Sequence, residues 1–383
     1  MLLIGNYAPD GQQSMQRFAD VMRRGLSELG WAVELLHPAV RLGRLCPGNR
    51  GLGKWLGYFD KFVLFPRELR RRLRSPRRPA LVHVCDHSNA MYVRELAARP
   101  HLVTCHDVIA IRSALGHFPQ NPVRATGRRL QALILAGLRR ARQIACDSAE
   151  SQRQLLALGG IDPARVTQVN IGLNYPYRPM DEAGCAAVLQ AGEKLRPLAS
   201  RRYILHVGGN QWYKNRAGVV RIYENFAQKN PSGPDLVMAG ATPPPGLAQA
   251  VAASGVAGKI HLVGGVGDTE LNALYAGAEC LLFPSYQEGF GWPVLEAMAA
   301  GTRVLTSGRA PLTEIGGAAA VYLDPNDEVG AAARLAELLA EPDEARAARL
   351  RAGHAQAAKF STEAMLTHYA ALYTQIVAAS GSA

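Results

Sequence analysis

Residues 280–306 read CLLFPSYQEGFGWPVLEAMAAGTRVLT. CLLFP is a continuous apolar run that Pro284 ends, and RVLT (303–306) is another. Between them Pro293 stands where proline suits a first helical turn, and VLEAMAA continues as helix. Strand, helix and strand in this order make a βαβ unit with parallel strands. Glu288 then lies on the loop at the carboxyl end of a parallel strand, where open α/β sheets hold ligands. Glu296, eight positions on, lies in the first turns of the helix and can face the same crevice. An acidic residue there also suits the helix dipole alone, so Glu296 by itself carries two readings.

The same alternation runs along nearly the whole chain. Strands are expected at 2–6, 32–37, 80–84, 101–105, 143–147 and 166–170. A second series is expected at 203–207, 235–239, 259–263, 280–284, 303–306 and 320–323. Their near-continuous hydrophobicity fits strands covered on both faces, and their spacing fits right-handed βαβ units. The expected fold class is α/β, with two doubly wound parallel-sheet domains over residues 1–175 and 198–360. Proline-rich residues 174–197 read as the connection between them. A final helix over about 361–379, with Ser361 as its N-cap, is expected to pack back on the first domain.

Bulk properties agree with this layout. A chain of 383 residues exceeds one ordinary hydrophobic core, and 48% apolar with 19% charged residues describes a globular protein. The six cysteines (Cys46, Cys85, Cys105, Cys146, Cys185, Cys280) stand singly, without C-x-x-C or zinc-like spacing. Cys85, Cys105 and Cys146, in or beside short strand-like runs, read as small buried hydrophobes, and a reduced, cytoplasmic protein is implied. MLLIGNYAPDG is too short an apolar run, without a basic flank, for a signal peptide, and no window spans a membrane. Residues 1–180 hold 27 Lys and Arg against 12 Asp and Glu, while residues 181–383 hold 16 against 19. The first half is therefore expected to meet something anionic.

The loop and helix of the opening stretch suit one kind of ligand. Gly289 and Gly291 let the backbone turn and come close to it. The N–H groups at the helix start form an anion site, and each carboxylate can accept two hydroxyl hydrogen bonds. A polyhydroxylated molecule flanking a phosphate fits this set. EGFGWPVLE (288–296) is similar to the E-x7-E signature of the retaining glycosyltransferases of family 4, whose GT-B fold has two facing Rossmann-like domains. The resemblance extends over HLVGGVGDTELNALYAGAECLLFPSYQEGFGWPVLEAMAAGTRVL (261–305) and, in the first half, over VTCHDVIAI, ACDSAESQRQL and VTQVNIGLN. It implies transfer of a sugar from a nucleotide-diphosphate donor to a glycan or lipid-linked saccharide, with neither metal nor other cofactor. No D-x-D occurs in the chain, which agrees.

The resemblance also assigns residues. Glu288 would contact hydroxyls of the transferred sugar, helped by the backbone of Gly289, Phe290 and Gly291, and Glu296 would hold the ribose. Val294 and Leu295 would offer N–H groups to the diphosphate, and Val266 would lie near the base. Lys214, in VGGNQWYKN with Asn210, would bind phosphate. The family often has an arginine where this chain has Gly209 or Tyr213, and Arg216 is the candidate replacement. The Y-K-N pattern resembles the R-K-N of many mannosyltransferases, which favours GDP-mannose. His106 would line the sugar site from the first domain. Asp107 would orient its ring or cap the next turn. Asp86 and His87, with Gly11 in the loop after the first strand, are acceptor-side candidates.

GLGKWLGYFDKFVLFPRELRRRLRSPRRP (51–79) sets five aromatics beside seven arginines. Leu52, Leu56, Phe59 and Val63 recur at helical spacing, so the segment is either a core-packing helix with a solvated end or, over Trp55–Arg78, a contact with an anionic membrane surface. The second reading makes the protein peripheral on the inner face of the membrane. Nucleic acid is a poorer fit, since no binding module accompanies the arginines. Two other functions compete with transfer: a nucleotide-sugar-binding scaffold, because of the missing arginine, and a hydride-transfer enzyme. No G-x-G-x-x-G follows the first strand, which disfavours the latter.

Overall fold

The structure, a computed structural model, describes residues 1–46, 51–76, 78–96 and 99–381. Arg77 of the basic segment lies outside the described residues. All twelve expected strands form, with ends shifted by two residues at most. The chain divides into two compact units, Met1–Asn174 with Thr362–Ala383, and Tyr175–Ser361.

The first unit holds β1 (Leu2–Ile4), β2 (Glu34–Leu36), β3 (Val82–Val84), β4 (His101–Cys105), β5 (Gln143–Cys146) and β6 (Val166–Gln168). They form one parallel sheet in the order β2-β1-β3-β4-β5-β6. Every residue of β1, β3 and β4 is buried, as near-continuous apolar strands require when helices cover both faces. Connections leave β1 toward opposite sides, to β2 and then to β3, so a switch point opens beside it at the carboxyl ends. Ser148 accepts from the Ser151 N–H and caps the helix Ala149–Ala157.

The last helix, Thr362–Gly381, belongs to this unit and is pinned by buried polar groups. Tyr369 and Tyr373 reach Thr104 and His83 at 2.9 and 2.8 Å, and His83 in turn meets Thr104 at 2.7 Å. Burial pushes the His83 imidazole down to about 3, so it stays neutral and its nitrogens divide into one donor and one acceptor.

The second unit holds β7 (Tyr203–Gly208), β8 (Asp235–Gly240), β9 (Ile260–Gly264), β10 (Cys280–Phe283), β11 (Val304–Ser307) and β12 (Val321–Leu323). Their parallel order is β12-β11-β10-β7-β8-β9, with the switch point between β7 and β10. Residues 175–197, read from the sequence as a connection, are part of this unit instead. Asp181 caps a helix Glu182–Ala191 by accepting from the Gly184 N–H at 2.8 Å, and Cys185, Leu189 and Leu195 are buried. Prolines frame the segment but leave this capped apolar stretch free to fold, and composition alone hid it.

The basic segment folds as helix Gly51–Phe59, one π turn over Asp60–Leu64 and helix Phe65–Arg74. Core packing holds for the helix Phe65–Arg74, through Phe65, Leu69 and Leu73. Of the stripe Leu52, Leu56, Phe59 and Val63, Leu56 and Val63 are half-buried while Leu52 and Phe59 are 66 and 43% exposed, and Trp55 beside them is 63% exposed. Gly53, Gly57 and Asp60 face inward instead. A Cβ at Gly57 would stand 3.1 Å from the Tyr7 ring, so glycine sets how closely this helix lies on the loop after β1.

Candidate functional site

Lys214 and Glu288 come from the loops that follow β7 and β10, the two strands flanking the switch point of the second unit. Lys214 ends a short 3₁₀ turn, Trp212–Lys214, and Asn215 then takes φ 52° and caps the helix Arg216–Lys229 through the Gly218 N–H. Asparagine tolerates that left-handed turn better than most residues. The Tyr286 N–H donates to the Tyr213 carbonyl at 2.8 Å, tying the two loops together. The Lys214 ammonium donates to both oxygens of Glu288 at 2.9 Å, and the two side chains are 15 and 6% exposed. It also lies 5.1 Å from the centre of the Phe283 ring. A phosphate-type cation and a hydroxyl-type acceptor are thus each other's partner in the free protein.

Glu288 is followed by a sharp turn into the helix Trp292–Ala299. Gly291 is the N-cap with φ 109°, and a Cβ there would stand 2.6 Å from Leu312, so no other residue fits without movement. Its carbonyl accepts from the Val294 N–H at 3.0 Å. Val294 is therefore corrected as a diphosphate donor: its N–H is used by the cap, and Pro293 has none. Leu295 is buried in the same turn. The Phe290 side chain packs edge-on against Phe360 at 5.8 Å between ring centres.

Glu296 is 6% exposed and accepts from the Tyr275 hydroxyl at 2.7 Å. Burial and this carboxylate hold the Tyr275 phenol well above its usual range, so it remains a donor. Val266 is half-buried in the turn between β9 and the helix Asp268–Ala276. Arg216, only 6% exposed, donates to Asn210 and to the Ala241 carbonyl, 3.0 Å away. Its Nε and Nη2 are buried without a hydrogen-bond partner, as is His206 Nε2 on β7. Among the described residues Arg216 has no carboxylate within ion-pair distance. Burial lowers its basicity, a direction that an anion would reverse.

The first unit brings another set together at the carboxyl ends of β1, β3, β4 and β5. His106 and Asp147 directly follow the paired residues Cys105 and Cys146, and His106 Nδ1 meets Asp147 at 2.6 Å. Nε2 donates to the Cys85 carbonyl at 2.9 Å. Burial alone would depress this imidazole, but Asp147 outweighs it and holds it at about 9. Both ring nitrogens are therefore engaged within the first unit. Asp107 does not touch the ring; its carboxylate accepts from the Ile109 N–H at 2.8 Å and caps the turn. Asp86 accepts from Asn6, from the Ser88 hydroxyl and from the Ser88 N–H at 3.0 Å. His87 Nδ1 lies 3.1 Å from Asp86 but outside hydrogen-bond geometry. Gly11, exposed with φ 67°, ends the turn Ala8–Asp10 in the loop after β1.

Asp147, Tyr275, Asn6 and Gln12, which donate to or accept from these residues, went unread in the sequence. Asp147 alone left a signal, a carboxylate just past a strand end within ACDS. Among the described residues no group of three or more His, Cys, Asp or Glu could hold a metal ion, and no helix is long and apolar enough to cross a membrane.

Two all-parallel doubly wound units, with polar residues gathered at strand carboxyl ends, define an α/β protein of the GT-B class. A sucrose-phosphate synthase from Thermosynechococcus elongatus superposes with a TM-score of 0.77, at 19% identity, over 99% of both chains. Anabaena Alr3699/HepE, solved in complex with UDP and glucose, gives 0.70 at 15% identity over 97% of this chain and 98% of that one. The family model "Glycosyltransferase Family 4" matches residues 15–175, and "Glycosyl transferases group 1" matches 201–341. O-antigen chain mannosyltransferase B of Escherichia coli is 30% identical over 299 residues, 76% of each chain. A D-inositol 3-phosphate glycosyltransferase of Mycolicibacterium paratuberculosis is 30% identical over 292 residues; the match covers 72% of this chain and 62% of that relative. The chain belongs to the family 4, group 1 glycosyltransferases.

Proposed function

We propose that this protein is a retaining, metal-independent hexosyltransferase that moves a sugar from a nucleotide-diphosphate donor, GDP-mannose in first place, to a glycan or lipid-linked saccharide of the cell surface. The observation that carries the reading is the Lys214–Glu288 pair at the switch point, beside the helix that starts at Trp292. A sugar nucleotide would exchange the pair: diphosphate oxygens take the Lys214 ammonium, and sugar hydroxyls take the Glu288 carboxylate. Both groups are mostly shielded from water, where such charge-assisted bonds count for more. Arg216 would add a second cation, and Glu296 would receive the ribose. Lys214, Arg216 and the helix start would together stabilise the departing phosphate in place of a divalent ion. Transfer would run by front-face displacement, with the leaving phosphate accepting the acceptor's proton. The similarity to an O-antigen mannosyltransferase supports GDP-mannose, while the Anabaena complex keeps UDP in contention.

The exposed stripe of Leu52, Trp55 and Phe59, with Arg67, Arg71 and Arg74 on the outer face of the next helix, supports a peripheral site of work on an anionic membrane. A thermal-shift panel of GDP, UDP, dTDP and ADP identifies the nucleotide, since ligand bound to the folded state raises the midpoint. Transfer should then proceed with a chelator present, NMR should find the donor's anomeric configuration kept, and Glu288→Ala should abolish turnover without unfolding the protein. Full activity in that variant would sink the site. Donor binding with neither transfer nor slow hydrolysis would favour the scaffold reading, which Gly209 and Tyr213 motivate.

A further inference from the structure

The loop after β1 and the helix Gly51–Phe59 enclose a cavity of about 330 Å³ in the first unit, apart from the polar cluster around His106. Its size is at the lower end for small-ligand sites, roughly 300–1,000 Å³. The floor is the Tyr7 ring, which fits because a Cβ at Gly43 would stand 2.3 Å from its hydroxyl. That hydroxyl donates to Asp60 at 2.9 Å, and Asp60 also accepts from the N–H groups of Arg41, Leu42 and Gly43, each at 3.0 Å. A buried carboxylate with four donors makes these walls rigid.

The lining chemistry is cationic and aromatic. Lys61, only 9% exposed, holds Asp10 at 2.8 Å and lies 5.0 Å from the centre of the Tyr58 ring. Lys54 and Arg44 stand at the rim, and neither forms an ion pair among the described residues. Three cations thus line the cavity against Asp10 in the lining and Asp60 behind Tyr7. From Tyr58 the wall continues outward: Trp55 packs edge-on against it at 5.8 Å, and Trp55 begins the exposed stripe with Leu52 and Phe59. The cavity therefore suits anionic charge, and Leu52, Trp55 and Phe59, on the helix that lines it, are exposed.

We infer that this cavity binds the phosphate-bearing head of a lipid-linked acceptor, with Lys54, Arg44 and Lys61 on the phosphates, Tyr58 against the adjoining group and the lipid along Trp55, Leu52 and Phe59. The inference rests on the transferase reading and narrows its acceptor to lipids that carry phosphate. Charge complementarity selects the head, and the exposed stripe selects the lipid over a free anion.

The test titrates the intact protein calorimetrically with farnesyl diphosphate, inorganic pyrophosphate and farnesol. Farnesyl diphosphate should bind, and both fragments should bind at least about tenfold more weakly because each uses half of the site. Lys54→Glu and Arg44→Glu, both at exposed positions, should weaken farnesyl diphosphate about tenfold or more. Their nucleotide-induced thermal shift should persist, which certifies the fold. No binding of farnesyl diphosphate, or binding that both variants retain, overturns the proposal. Pyrophosphate binding as tightly as the lipid diphosphate overturns the lipid assignment. If farnesyl diphosphate binds as expected while no sugar nucleotide does, the cavity stands and the transferase reading falls.

Discussion

Arg216 is nearly buried, and its neighbours are an amide and a carbonyl rather than a carboxylate. A guanidinium held this way is costly in the free protein and is repaid by an anion. Arg216→Met is expected to leave the free protein's thermal midpoint unchanged or higher and to weaken nucleotide binding about tenfold; the reverse pattern would mark a structural arginine. His106 makes a second prediction. Its imidazolium is kept by Asp147 at about 9, above the ordinary 6.5 or so. The stability it contributes is complete below about 6.5 and is lost as pH climbs through about 9. Thermal midpoints should fall across that window in the wild type and should slope less in His106→Gln. Sequence reading found His106 by its place at a strand end and left Asp107 either to orient its ring or to cap the next turn; Asp107 caps the turn, and Asp147 holds the ring. Asp107 is adjacent in the chain, whereas Asp147 is adjacent in the sheet, and only pairing of Cys105 with Cys146 joins them.

Strands were the most legible elements, because burial on both faces writes itself as unbroken apolar runs such as HLVTC and CLLF. The helix Glu182–Ala191 was not, since the prolines on either side and its low apolar contrast resemble a linker until Asp181 caps it. The last helix tells more about energetics. Tyr373 donates to or accepts from a neutral, fully buried His83, so removing the hydroxyl strands a polar nitrogen. Tyr373→Phe should cost about 1–3 kcal/mol by denaturant unfolding. The paired Tyr373→Phe, His83→Phe replacement should recover part of that loss if the shape is kept. An unchanged stability in the single variant would mean that water replaces the hydroxyl.

At the scale of the whole molecule the excess of positive charge lies in residues 1–180, 27 Lys and Arg against 12 Asp and Glu, and part of it lines one helix face. Binding to anionic vesicles, followed by co-sedimentation, should weaken with added salt and by about 1 kcal/mol for each of Arg67, Arg71 and Arg74 replaced by Ala. Trp55→Ala should weaken it further, and salt-independent binding would remove the electrostatic account. The sequence alone determined the class of fold, two series of parallel strands, and the place of Glu288 and Lys214 beyond strand ends, because hydrophobic period and punctuation are local properties. Only the tertiary structure decided that Lys214 holds Glu288, that Val294 spends its N–H on the Gly291 cap, that Arg216 is buried, and that Leu52, Trp55 and Phe59 face outward. These depend on which strands lie side by side and which helix face finds a neighbour. That is settled by packing between residues far apart in the chain, which no short stretch can encode.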